Sequence, residues 1–121
     1  MNPRIQKDFL EALRSGKYKQ CFGQLRKEDK FSTDGILFDL FLKESKKKWE
    51  DIPCNQEKSW SFSLSKEVYE WAFEEKSFYA WNAIYLINKN RARVSMSTLN
   101  DWGYSFKNIA DLIEQNGFAK C

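Results

Sequence analysis

Histidine does not occur among the 121 residues of this chain. Its absence removes the commonest general base, the Ser-His and Cys-His nucleophile systems, and imidazole ligation of metals. Cysteine is scarce as well: Cys21, Cys54 and Cys121 are an odd number with no CxxC spacing. They cannot supply a four-cysteine or mixed cysteine-histidine zinc site, and reduced cytosolic thiols are expected rather than a secreted disulfide framework. The five glycines fall into neither G-x-x-x-x-G-K-[ST] nor G-x-G-x-x-G, so no phosphate-cradling loop is present. No linker rich in Gly, Pro or Ser divides the chain, and one domain over residues 1–121 is expected. An apolar run near 18 residues is missing, as is a basic-then-apolar leader. The expectation is a soluble protein, neither exported by that signal nor inserted in a membrane, located in the cytoplasm. Charge of one sign is also lacking, with 20 Lys and Arg against 17 Asp and Glu. The excess lies in residues 1–50, which carry 12 basic and 8 acidic side chains, a weak electrostatic argument for nucleic acid.

Aromatic residues are plentiful: five Trp, five Tyr and ten Phe. With 42% apolar residues overall, a chain of this length can bury a core without staples, and long disorder is not expected.

The start reads as a helix capped by Asn2, with Pro3 at the first helical position. Ile5, Phe9, Leu10 and Leu13 share one face, and Ser15-Gly16 ends it. Lys17–Leu25 alternates as a strand. Asp34 is a plausible cap for a helix over Gly35–Lys43, apolar most of the way round and therefore central. Residues 49–59 read as a loop. Trp60, Phe62 and Leu64 alternate with serines as a strand, and Ser65 caps the helix that follows, with Val68, Trp71 and Ala72 inward. Ala83–Ile87 and Arg91–Met96 form a hairpin across Asn88-Lys89-Asn90. Ser97 opens a short helical turn that Gly103 breaks. Ser105 caps a last helix with Phe106, Ile109, Ala110 and Ile113 inward, closed by Asn116-Gly117. The fold expected is α+β: a small antiparallel sheet of about three to five strands, hairpin included, packed by three or four helices.

Three segments carry a resemblance: FLEALRSGKYKQCFGQLR at Phe9–Arg26, FSTDGILFDL at Phe31–Leu40, and LNDWGYSFKNIADLIE at Leu99–Glu114. They resemble a family of small proteins common in phages and prophages, with an "ALRSG-Y-Q…LR" opening, a "CCLGVLCDL"-like helix and an "LND-G-SF-IADLIE" end. SKEVYEW at Ser65–Trp71 is similar to that family's middle element. Ser32, Thr33 and Phe38 stand where the family tends to have cysteine, and Asp34 where it has leucine. Residues 74–96 match least. The resemblance implies an accessory protein encoded by a phage or prophage and working in the bacterial cytoplasm; it implies no reaction.

Among chemical candidates, Glu70, Glu74 and Glu75 could hold Mg²⁺ at i, i+4 spacing, though an exposed helix face explains them more simply. Asn100-Asp101 before Gly103 suits a tight turn better than a catalytic pair. Asp39, in the most apolar helix, needs a partner, and Arg14 or Arg26 would serve. No catalytic residue, metal ligand or cofactor is expected. Two surfaces remain. Lys89, Arg91 and Arg93 fall at spacing two, so one strand would present all three. With Lys17 and Lys19 they could neutralise phosphates beside Tyr79, Trp81 or Tyr85. Phe78, Tyr79, Trp81 and Tyr85 would form, if exposed, a docking patch for a protein. The leading expectation is a non-enzymatic interaction module, monomeric or a small homo-oligomer, whose partner is a host or phage protein. A nucleic-acid-binding domain is the alternative, and a carboxylate-dependent metal enzyme comes third.

Overall fold

A computed structural model describes residues 1–51, 62–74 and 84–119. Helix α1 spans Pro3–Arg14. Its start follows the sequence: Asn2 Oδ1 accepts from the backbone N–H groups of Arg4 and Ile5, and proline occupies a position where a missing N–H is harmless. Ile5, Phe9 and Leu13 form its buried stripe. Gly16, at φ 73°, turns the chain away.

The long strand expected over Lys17–Leu25 contracts to β1, Lys19–Gln20. Beyond it Gly23 takes φ 75° and its N–H turns to Asp101 Oδ1, 2.8 Å away, so the chain bends out of the sheet. Strands β2 (Arg26–Lys27) and β3 (Lys30–Phe31) complete a three-stranded sheet in the order β1-β3-β2. β3 runs parallel to β1 and antiparallel to β2.

Helix α2, Thr33–Glu44, is the central helix. Its cap is Ser32, not Asp34: the serine hydroxyl accepts from Gly35 N–H at 3.1 Å, and Asp34 falls two positions further on, in the interior. Its first seven positions are all buried, and Phe41 and Leu42 extend the arc. Gly35 is dictated by contact. A Cβ there would stand 2.0 Å from the carbonyl oxygen of Leu25, closer than any side chain tolerates. A 3₁₀ turn, Trp49–Asp51, follows.

Helix α3 covers Phe62–Phe73. Residues 62–64 are therefore helical and not the end of a strand, and Ser65 lies inside the helix. The spacing of Leu64, Val68, Trp71 and Ala72 (i, i+4, i+7, i+8) is a helical repeat, and it outweighs the alternation of residues 59–64. Trp60 lies outside the described residues. Strands β4 (Tyr85–Ile87) and β5 (Arg93–Ser95) pair antiparallel as expected, in a second, separate sheet. Helix α4, Met96–Asp101, is capped by Ser95, and α5, Phe106–Asn116, by Ser105. Gly103 at φ 95° separates them. Phe118 then bridges back to Leu86.

The result is α+β: five α-helices and two small sheets among the described residues, where one sheet was expected. One buried cluster joins all the helices, with Phe9, Ile36, Phe38, Val68, Leu86, Met96, Leu99 and Ile109 at its centre. No helix among the described residues is long and apolar enough to cross a membrane.

Candidate functional site

Asn100 organises one surface of the molecule. It lies in α4, fully buried, rather than in an exposed turn as its sequence neighbourhood suggests. Its Oδ1 accepts from Thr33 N–H and Thr33 Oγ1, both at 3.1 Å, and from Gln20 Nε2 at 2.9 Å. Its Nδ2 donates to the Cys21 carbonyl at 2.9 Å and to Asp101 Oδ1 at 3.3 Å. A backbone N–H can only donate and a carbonyl can only accept, so the amide has a single satisfactory orientation. One side chain thus ties together α2, β1 and α4.

Those bonds fix two short segments side by side. Cys21 is held by Asn100, Gly23 N–H by Asp101 Oδ1, and Gln20 Nε2 reaches the Tyr104 carbonyl at 2.8 Å. The residues between and beside these anchors are Phe22, Trp102 and Tyr104. They are the large apolar side chains most exposed among the described residues, at 51%, 70% and 40%. A scattered exposed aromatic needs no explanation. Three of them on two segments pinned to one buried amide form an aromatic crest on a rigid base.

Asp34, next in α2 to the Thr33 that Asn100 binds, is only 3% exposed, and its Oδ1 has no hydrogen-bond partner among the described residues. Burial, with the negative charge of Asp101 adding to it, pushes the carboxyl up to about 7. Its place in the first turn of α2 favours an anion, but loss of hydration outweighs that. Burial likewise raises the Cys21 thiol above its ordinary range, which argues against a reactive thiolate.

The residues singled out from sequence are redistributed. Lys89 and Arg91 lie in the hairpin turn, Arg91 at φ 61°, and only Arg93 belongs to a strand. The single basic strand face is therefore not formed, because spacing two aligns side chains only in extended backbone. Arg93 sits over the Tyr85 ring at 4.2 Å. Lys17 and Lys19 are exposed; Lys19, in the other sheet, faces Asp29 at 3.4 Å. Tyr85 is half-buried, and Phe78, Tyr79 and Trp81 lie outside the described residues.

Asp39 finds neither Arg14 nor Arg26. It accepts from Tyr18 Oη at 2.6 Å and Trp49 Nε1 at 2.9 Å, with Lys43 Nζ at 3.0 Å. Burial alone would raise its carboxyl, but these three donors hold it below the ordinary carboxylate range. Arg14 instead bridges α1 to α5 through Asp111 and Glu114. Arg26 lies over the rings of Phe31 and Trp49. Of the acidic trio, Glu74 accepts from Asn2 at the end of α3, and Glu75 is outside the described residues. Among the described residues no group of three or more acidic or thiol side chains is placed to hold a metal ion.

Sequence reasoning missed the crest. Its signal is Trp102-Gly103-Tyr104, aromatics flanking a helix-breaking glycine between two capped helices, where the backbone must run at the surface.

Fold and crest together define a small α+β domain that presents rigidly held aromatic side chains to solvent. The chain belongs to the family DUF8296, a domain of unknown function, which matches residues 1–117. No curated protein and no solved structure matches it.

Proposed function

We propose that this chain is a non-enzymatic interaction module that docks a protein partner on the crest of Phe22, Trp102 and Tyr104. The observation that carries this reading is the exposure of three aromatic side chains on a backbone already immobilised by Asn100. Trp and Tyr are the side chains that most often dominate binding energy at protein interfaces. A preorganised backbone lowers the ordering cost of association. The motifs resembling small phage and prophage proteins support an accessory role in a bacterial cytoplasm, on a host or phage protein.

A photo-reactive phenylalanine analogue in place of Phe22 will mark the protein that sits on the crest in the cell. That protein, purified, should bind the wild-type chain and lose at least about tenfold in affinity with Trp102→Ala, while the melting temperature stays within a degree or two. Equal affinity for wild type and variant removes the crest from the function.

A further inference from the structure

Beside the crest, a groove of about 590 Å³ runs between the β4–β5 turn and α5, within the size range of small-ligand sites. It borders the crest only at Tyr104 and does not involve Phe22 or Trp102. Carboxamides dominate its lining: Asn88, Asn90, Asn108 and Gln115. Asn88 Oδ1 is engaged by the N–H groups of Asn90 and Ala92, which makes the turn rigid. The side chains of Asn90, Asn108 and Gln115 have no hydrogen-bond partner among the described residues. Asn108 contributes its backbone N–H to the Ser105 cap.

Charge in the groove is one-sided. Lys89 lines it, Arg91 follows in the same exposed turn, and neither has a carboxylate partner among the described residues. The one acid in the lining, Asp111, is neutralised by Arg14 at 2.8 Å. The groove therefore offers one aromatic face, several amides and a cation that have no partner among the described residues.

We infer that this groove binds a nucleotide unit, with the base on the Tyr104 ring, its polar edge on Asn108 and Gln115, and the phosphate on Lys89. Each element has its chemical counterpart. An aromatic ring stacks any base, and a carboxamide supplies a donor and an acceptor side by side, as a base edge requires. A lysine at the rim takes the phosphate. A neutral sugar would leave the cation unused. An acidic peptide would leave the ring and the amides unused.

The chemistry fits a free mononucleotide or one residue of a single strand, and the test separates them. Purified protein, freed of nucleic acid as judged by absorbance at 260 and 280 nm, is titrated with the four 5′-mononucleotides by calorimetry. In parallel it is titrated with fluorescent single-stranded DNA and RNA of roughly ten nucleotides, within the range of known site sizes. Binding in either arm is expected to weaken at least about fivefold with Tyr104→Ala and with Asn108→Ala. Lys89→Gln should flatten the dependence on salt. Melting curves of the three exposed variants should match the wild type. Binding by oligonucleotides alone assigns the groove to a strand, and by mononucleotides alone to a small ligand. No binding in either arm overturns the inference, as does binding that Tyr104→Ala and Asn108→Ala leave unchanged.

Discussion

Replacing Asp34 by asparagine isolates the contribution of a single proton to folding. In the folded chain the carboxyl titrates at about 7, against an ordinary value of 3.8. Between those values the folded state holds a proton that the unfolded state has released, so stability falls as pH rises through this window and is level above it. A gap of about three units corresponds to a loss on the order of 4 kcal/mol by pH 8. This is a large fraction of the total stability of a small domain. Asparagine has nearly the same shape and does not titrate. By pH 5 the unfolded carboxyl is already ionised while the folded one is not, so roughly a third of that loss is present there. Between pH 5 and pH 8 the stability of Asp34→Asn relative to wild type should rise by a further ~3 kcal/mol. Urea unfolding followed by tryptophan fluorescence, at intervals from pH 5 to 8.5, measures both curves. The depressed carboxylates Asp39 and Glu114 act with the opposite sign, losing stability as pH falls below their ordinary range. They are common to both proteins and cancel in the difference. A difference that stays constant across the range would refute the reasoning, since it would mean that Asp34 does not change its protonation there.

Two further substitutions probe the same region. Asn100→Ala strips partners from the Thr33 N–H, the Gln20 amide and the Cys21 carbonyl and should cost about 3 kcal/mol or more, read as a fall in the urea midpoint. Retention of the wild-type midpoint would show that these groups find other partners. Gly35→Ala places a methyl group 2.0 Å from a backbone oxygen, so α2 must move off Leu25. The variant should lose cooperative unfolding or melt far below the wild type by circular dichroism, and an unchanged melting curve would contradict that close approach.

Helices whose ends carry their own signals were legible in the sequence. Asn2-Pro3, Ser105 and Gly117 act on the backbone groups of their own helices, so the information is local. The hairpin was legible for the same reason, because Asn88 builds its turn through its own neighbours. So was the absence of histidine chemistry, which is a matter of residue supply. Where two local readings compete, as at 62–64, the alternation of residues 59–64 misled and the longer helical repeat prevailed. The contacts that distant segments make with one another emerge only from packing. Asn100 and Cys21 are 79 positions apart, and nothing in either neighbourhood announces that one anchors the other. Asp34 looks like a cap until Ser32 takes that role, and its burial follows from elements packed across α2. Asp39 selects Tyr18, Trp49 and Lys43 over the arginines because packing sets distance and sequence does not. The crest exists for that reason as well: Phe22 and Trp102 are unremarkable apart, and become a surface when a buried amide holds their segments together.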